Sequence, residues 1–183
     1  MGLDIGIYSK LKKIDCVFNA DGEPIDRETN EPLEDDHYFQ PYENSDFAGR
    51  MEGLEHKAVY SYGKHDHFKA GSYSGYNIWR EELAKFAGYP SVSVDRYQTG
   101  SNQLRHDEGC WQHGKEGEPF YELIIFSDCE GVIGSVVSAK LAADFKEHQE
   151  KADSHQEEWF RVKYNQWRAA FEAASDNGAV DFH

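Results

Sequence analysis

The C-terminal stretch SHQEEWFRVKYNQWRAAFEAASDNGAVDFH, residues 154–183, has the clearest structural pattern of the chain. Residues 154–157 have the form of a capping box, which marks the beginning of a helix. Behind them, large aromatic side chains recur at steps of four, three and four, the spacing of one helix face: Phe160, Tyr164, Trp167 and Phe171. We predict the longest helix of the protein here. It ends at residues 176–178, and residues 179–183 are apolar enough to dock, in the manner of an edge strand or a packed extension.

Upstream of this helix, alternating and apolar runs predict strands. Residues 3–7 alternate apolar with polar or small side chains, and residues 14–18 and 59–62 are rich in residue types that favour strands. Residues 120–126, FYELIIF, are apolar almost throughout. This run predicts the best-buried strand, in the centre of a sheet.

Two further helices are predicted between these strands. Asn77 can cap a helix that continues to about Phe86 and ends at Gly88, and a second helix extends from about Ser135 to Lys151. With a length of 183 residues, this order of elements predicts one α+β domain, residues 1–183. We expect an antiparallel or mixed sheet with about three helices packed on it.

The charge of the chain is strongly negative and unevenly distributed. Lys and Arg total 19 and Asp and Glu total 34, a net charge of −15, so we expect no direct binding of duplex DNA. Residues 21–57 hold twelve acidic and three basic side chains among turn-forming residues. They predict an acidic surface excursion, which is either a solvated loop or an imitation of nucleic-acid phosphates.

The sequence favours a cytoplasmic protein. No apolar run approaches the roughly 20 residues that cross a bilayer, and the N-terminus lacks the features of a secretory signal, so we expect no membrane partner. The three cysteines, Cys16, Cys110 and Cys129, are odd in number and widely spaced, which fits reduced thiols. The sequence leaves the oligomeric state open.

The first candidate ligand site, at residues 70–80, leads directly into the helix that is predicted from Asn77 to about Phe86. Two glycines, several hydroxyl groups and an arginine one turn inside the helix form a plausible cradle for a phosphate or carboxylate. Its candidate ligand-binding residues are Ser72, Tyr73, Ser74, Tyr76, Asn77 and Arg80. The alternative is a purely structural connection in which the aromatic rings pack and Arg80 forms a salt bridge.

The second candidate site follows the predicted central strand, at residues 126–134. Asp128 and Glu130 can bind a divalent cation, a ribose hydroxyl or a ligand amine, or serve as acid and base. The alternative is a turn in which Asp128 bonds its own backbone and Glu130 is solvated.

Histidines suggest a weaker metal hypothesis. His65 and His67 point the same way from an extended segment, and His106, Cys110 and His113 have ligand-like spacings. Because four ligands cannot be assigned, we predict no metal and no cofactor, and we assign no catalytic residue. Of the tryptophans, Trp111 and Trp167 are expected in the core.

Four motifs together resemble a family of small phage and prophage proteins. They are MGLDI at residues 1–5, GSYSGYN with Trp79-Arg80 at residues 71–80, FSDCEG at residues 126–131 and GAVDFH at residues 178–183. Lys69 and Ser135 stand where relatives of this kind are expected to have Arg and Pro. The resemblance implies a phage protein in the host cytoplasm and assigns no catalytic residue.

The leading function hypothesis is a phage accessory protein, with a role in counter-defence, that sequesters a small anionic, nucleotide-type ligand without chemistry. Arg80 would meet a phosphate, Tyr73 or Tyr76 would stack on a base, and Asp128 or Glu130 would bind a sugar hydroxyl or amine. His183 would lie near this site. The alternatives are an acidic nucleic-acid mimic that binds a host protein and a metal-assisted hydrolase that uses Asp128 and Glu130.

Overall fold

A computed structural model describes residues 2–34, 37–95, 101–127 and 130–183. The strands are β1 (Leu3–Ser9), β2 (Lys12–Lys13), β3 (Cys16–Phe18), β4 (Pro24–Asp26), β5 (Tyr60–Ser61), β6 (Lys64–Gly71), β7 (Val92–Val94), β8 (Gln103–Arg105), β9 (Gly131–Gly134) and β10 (Ala179–Phe182). The helices are α1 (Tyr73–Ala87), α2 (His106–His113), α3 (Tyr121–Ile124), α4 (Ser135–Glu147), α5 (Gln149–Asp153) and α6 (Glu158–Ala174), with a 3₁₀ turn at Ser45–Phe47. Helices and small antiparallel sheets thus occur together, which confirms the predicted α+β class.

The largest sheet has four strands in the order β6-β1-β10-β9. Strand β10 is antiparallel to both of its neighbours, with Phe182 opposite Ile5 of β1 and Val180 opposite Ile133 of β9. The C-terminal segment therefore docks as predicted, but as an inner strand and not at an edge. Phe182 is 1% exposed and Ala179 and Val180 are fully buried, so both faces of β10 are largely covered.

By its internal contacts the chain forms two compact units. The first consists of Met1–Asp4, Phe68–Cys129 and Lys140–Ala169, and the second consists of Ile5–His67, Glu130–Ala139 and Ala170–His183. The single domain predicted from the length stays a prediction.

The core of the first unit consists largely of aromatic rings, as the periodicity of α6 predicts. Phe160, Tyr164 and Trp167 are fully buried. Phe86 contacts the Phe160 ring at a centroid distance of 5.2 Å, and Phe145 meets Tyr164 edge-on at 4.8 Å. Such pairs each add about 0.5–1.5 kcal/mol beyond the burial of apolar area. The aromatic stripe of α6 is therefore the side of the helix that holds this core together.

The second unit has its own core, formed by Leu11, Phe39, Met51, Tyr60, Val132 and Ala179. Two of these, Phe39 and Met51, come from the acidic segment 21–57, which is thus partly core and differs from the surface excursion expected. The segment also packs closely on β9. A Cβ at Gly134 would lie 2.4 Å from the carbonyl oxygen of Glu52, and the Gly134 amide donates to the carbonyl of Arg50 at 2.8 Å. The net charge of the segment does not reveal these few apolar residues between exposed acids, which is why their burial was not predicted.

The predicted central strand at residues 120–126 is wrong: Tyr121–Ile124 form the short helix α3, and the residues around them are not in a strand. Phe120 has φ 56°, and its amide donates to Asp144 Oδ2 at 2.7 Å. The amide of Ile124 then donates to the carbonyl of Phe120 at 2.9 Å, which closes a helical turn. A short run that is apolar almost throughout predicts burial, but it has no periodicity that distinguishes a strand from a buried helix.

Helix boundaries also differ in places from the predicted ones. Ser72, and not Asn77, caps α1, because its Oγ accepts the Gly75 amide at 3.1 Å. Gly88 ends α1 as predicted, with φ 94°. The helix expected from Ser135 to Lys151 is divided into α4 and α5. The capping box does not form, since Ser154 Oγ donates to the carbonyl of Glu150 instead.

Candidate functional site

At the beginning of α1, the hydroxyl groups of the first candidate site are engaged in capping. Ser72 Oγ lies 3.0 Å from Ser74 Oγ and accepts the amide of Gly75, while the carbonyl of Ser72 accepts the amide of Tyr76 at 2.9 Å. Tyr73 is 40% exposed beside them. The amides of residues 75 and 76 are thus satisfied within the helix, which leaves less of the predicted anion cradle than the sequence suggests.

Tyr76 is a core residue. It is 2% exposed, its hydroxyl donates to the carbonyl of Phe126 at 2.9 Å, and its ring lies 5.8 Å from that of Trp167. A ring held on this many sides cannot stack on a ligand. The structural alternative for Tyr76 is therefore the better description.

Arg80 makes structural contacts and also lines a cavity. It is 4% exposed, its Nε donates to the carbonyl oxygen of Ile124 at 2.6 Å, and one terminal nitrogen donates to Asn77 Oδ1 at 2.9 Å. Its guanidinium also lies 5.8 Å from the centre of the Tyr76 ring. These contacts join α1 to α3 and fix the position of a buried positive charge.

Arg80 lines a cavity of about 370 Å³. The cavity is formed by residues from α1, from α2 and from the segment after α3: Asn77, Arg80, Asp107, Glu108, Trp111 and Ser127. Ser127 belongs to the second candidate segment, so part of that segment lies beside Arg80. Asp128, the residue predicted to act there, lies outside the described residues.

Asp107 brings a second buried charge to this cavity. It is 2% exposed, and its two carboxylate oxygens accept from Arg105 Nε at 3.0 Å and from a terminal nitrogen of Arg105 at 2.8 Å. Burial by itself would raise the pKa of Asp107, but the Arg105 hydrogen bonds, with help from the positive charge of Arg80, hold that pKa well below its usual range. Asp107 is therefore ionised at neutral pH.

The first turn of α2 is positioned by Glu81. Glu81 Oε2 accepts the amides of His106 at 2.8 Å and Asp107 at 2.9 Å, which satisfies two free donors of the helix N-terminus. Burial raises the pKa of Glu81. A Cβ at Gly109 would lie 1.7 Å from the carbonyl oxygen of Pro90, so only glycine permits α2 to approach this closely.

The zinc hypothesis gains no support from the α2 region. His106 Nδ1 lies 2.6 Å from the carbonyl oxygen of Tyr89, and burial raises the pKa of the Cys110 thiol to about 12, which keeps it protonated. Within the part of the chain that the structure describes, no group of three or more His, Cys, Asp or Glu side chains is placed to hold a metal ion.

Trp111 differs from the expectation that it lies in the core. It is 55% exposed and lines the cavity beside the buried charges. Asp107 and Glu108 were also missed by the sequence analysis, although two acids in the first turn of a helix after Arg105 are a recognisable signal. One guanidinium and two carboxylates face the cavity, so its charge does not favour an anion.

Glu130 and His183 belong to the second unit. Glu130 is exposed, and its carbonyl oxygen accepts from Asn44 Nδ2 at 2.9 Å. The His183 side chain is 59% exposed, with Nδ1 3.4 Å from Asp181 Oδ2. Burial raises the pKa of Asp181 to about 6, an effect that the charge of His183 opposes.

Comparisons with protein-family models, curated proteins and solved structures find no match to this chain. The resemblance to phage proteins therefore stays a prediction. Among the helices of residues 2–34, 37–95, 101–127 and 130–183, none has the length and apolar character needed to cross a membrane.

Proposed function

We propose that the protein captures a small nucleotide-type ligand without chemical conversion, and that the base of this ligand occupies the cavity beside Arg80. The observation that carries the proposal is the exposed indole of Trp111 on the wall of a cavity that also holds the buried charges of Arg80 and Asp107. The phage context, including a role in counter-defence in the host cytoplasm, rests on the resemblance alone.

Trp111 supplies the stacking surface. An exposed indole beside a cavity offers a face on which a planar base can stack, and stacking of a base on an aromatic side chain contributes about 1–3 kcal/mol. The cavity volume of about 370 Å³ falls within the usual size of small-molecule sites. This role passes from Tyr76, which is buried in the core, to a residue of α2.

The polar wall favours a base that presents hydrogen-bond donors. The ionised carboxylate of Asp107 and the side chain of Glu108 are acceptors, whereas Ser127 can donate or accept. An amino group beside a ring N–H matches two such acceptors. Recognition then rests mainly on the base, and not on the phosphate as the sequence suggests.

Arg80 is the cationic group of the cavity, but it is 4% exposed and already bonded to Ile124 and Asn77, so it gives a ligand phosphate little support. Because the carboxylates of Asp107 and Glu108 line the same cavity, a phosphate placed deep inside would be repelled. We therefore expect the phosphate to lie toward the opening, and nucleosides to bind within about tenfold of their monophosphates.

Isothermal titration calorimetry with the common ribonucleosides and their monophosphates tests this proposal. Trp111→Ala is expected to weaken binding at least about fivefold, as loss of one stacking contact predicts. Trp159→Ala is the matched control, since Trp159 is 40% exposed and lies outside the cavity lining. The proposal fails if no compound of the panel binds, or if both tryptophan variants weaken binding equally.

A second candidate function is an acidic mimic that occupies the basic groove of a host protein. It is favoured by the exposure of acidic side chains along residues 21–57, among them Asp21, Glu23, Glu28, Glu31 and Glu34. Replacing these five by their amides leaves the buried Phe39 and Met51 untouched, so the fold should survive. If this variant loses its effect on host cells while Trp111→Ala retains it, the mimic replaces ligand capture.

A further inference from the structure

Asp181 and His183 lie beside Gly6 of β1 in the second unit, and His65 packs on the ring of Tyr8, which also lies beside Gly6. Gly6 is opposite Asp181 in the β1–β10 pair. A Cβ at Gly6 would lie 3.6 Å from His183 Cε1, 3.5 Å from Asp181 Cβ and 3.2 Å from the Tyr8 ring. The His183 imidazole and the Asp181 side chain therefore lie beside Gly6 within van der Waals reach of a Cβ there.

Asp181 and His183 form an oriented pair. Asp181 Oδ2 is 3.4 Å from His183 Nδ1, and the Asp181 side chain is only 22% exposed whereas that of His183 is 59% exposed. A half-buried carboxylate that faces one ring nitrogen orients the imidazole and leaves the other nitrogen for a ligand.

His65 of β6 is held differently. Its ring stacks on that of Tyr8 at 4.5 Å with an interplanar angle of 7°, and Tyr8 stacks in turn on Phe39 at 4.0 Å. Stacking fixes the ring without engaging its nitrogens. Burial, followed by the positive charges of His67 and His183, lowers the pKa of His65, which favours a neutral imidazole.

The titratable groups around this place come from three parts of the chain. They are Tyr8 of β1, Tyr62 between β5 and β6, His65, Asp66 and His67 of β6, and Asp181 and His183 at the end of β10. Burial raises the pKa of Tyr8 to about 12, so its phenol stays protonated near neutral pH. The cluster therefore offers an imidazole stacked on Tyr8 and a second imidazole that the Asp181 carboxylate orients. A nucleophile must come from the substrate.

We infer that this histidine cluster is an acid–base site, distinct from the cavity beside Arg80, for a phosphodiester that has a neighbouring hydroxyl group, as RNA has. His65 accepts the proton of the 2′-hydroxyl as its oxygen bonds to phosphorus. The bond from phosphorus to the 5′ oxygen breaks, and that oxygen receives a proton from the His183 imidazolium. The products are a 2′,3′-cyclic phosphate and a 5′-hydroxyl, and exchange with water returns both histidines to their starting states.

His67 is the third imidazole of the cluster. Its ring centre is 6.4 Å from that of His65, a spacing that lets a phosphate group contact both rings. Asp181 is a positioning residue in this scheme, because it acts through His183 and does not touch the phosphodiester.

The test uses the full-length protein, in the presence of EDTA, with the ribodinucleotide uridylyl-adenosine and its 2′-deoxy counterpart. A dinucleotide has a single phosphate charge, so the −15 net charge of the protein opposes its binding only weakly. We expect the cyclic phosphate to form from the ribodinucleotide alone. Absence of cyclic product with the wild-type protein overturns the proposal, as does cleavage of the deoxy compound.

Variants separate this activity from a contaminating ribonuclease. His183→Ala and His65→Gln should each lower the rate at least about 100-fold, the usual contribution of a general acid or base. His37→Gln is the control, since His37 is exposed and lies outside the cluster, and it should retain the wild-type rate. Equal cleavage by all three variants, with folding confirmed by circular dichroism, assigns the activity to a contaminant and overturns the proposal.

Asp181→Asn tests the positioning role. In the wild type, protonation of Asp181 below about pH 6 removes the carboxylate that faces His183, so the rate should fall on that side of the pH profile. The variant should be about tenfold slower near neutral pH, and the acid limb that remains, set by protonation of the base His65, should differ in position from that of the wild type. An unchanged pH profile overturns the role of Asp181 in the proposal.

Discussion

Arg80 Nε donates a 2.6 Å hydrogen bond to the carbonyl oxygen of Ile124. This bond connects α1 to α3, the segment whose sequence predicts a strand. A carbonyl near the end of a short helix has no partner within that helix, and the buried guanidinium supplies one. The same side chain is therefore a structural link and the positive wall of the candidate cavity.

Replacing Arg80 should destabilise the protein strongly. In Arg80→Met, the carbonyl of Ile124 loses its partner and the ionised Asp107 loses a nearby positive charge, so we expect a loss of about 3 kcal/mol in the free energy of unfolding. Urea denaturation measures this loss of stability. Arg27→Met is the control, because Arg27 forms an exposed surface pair with Asp15 and should change stability by less than about 0.5 kcal/mol. Equal effects of both variants would contradict the structural role of Arg80.

The two tryptophans Trp111 and Trp167 should behave in opposite ways. Trp167 is fully buried and meets Phe68 edge-on at 5.1 Å, so Trp167→Ala should cost about 3–5 kcal/mol of stability. Trp111 is 55% exposed, and Trp111→Ala should leave stability within about 0.5 kcal/mol of the wild type. Thermal and urea unfolding compare them. A large loss with Trp111→Ala would show that Trp111 supports the fold, and its variant would then be no clean probe of binding.

Stability should depend on pH through Asp181. Its pKa is raised by burial from 3.8 to about 6, so between these values the folded protein holds a proton that the unfolded chain has released. The contribution of Asp181 to the free energy of unfolding is therefore greatest below about pH 4 and is lost as the pH rises through about 6. Asp181→Asn should gain stability relative to the wild type between about pH 4 and pH 7. A difference between the two proteins that is independent of pH would contradict the raised pKa.

Deleting residues 180–183 should abolish cooperative unfolding. These residues occupy the inner strand β10, between β1 and β9, so the deletion removes two ladders of hydrogen bonds and the buried Val180 and Phe182. Removing His183 alone, whose side chain is 59% exposed, should leave the unfolding transition nearly unchanged. A cooperative transition in the longer deletion would mean that β10 contributes little to the sheet.

The local sequence pattern predicted the structure correctly where the geometry of a single helix or strand decides which side chains are buried. The steps between Phe160, Tyr164 and Trp167 predicted the buried face of α6, and Gly88 predicted the end of α1, because helix geometry alone decides both. The alternation of Val180 and Phe182 likewise predicted docking, although not the inner position of the strand.

Only the tertiary structure decided which charges meet. The helix α3 follows Phe120, whose amide donates to Asp144, a residue distant in sequence that local pattern does not connect to it. The cavity in turn requires Arg80 of α1 and Asp107 of α2, which no spacing along the chain connects. The sequence by itself determined the α+β class, the aromatic core and the docked C-terminus, since these follow from periodic burial of apolar side chains. The polar sites depend on contacts between distant segments, because the energy of a buried charge is set by partners that folding brings to it.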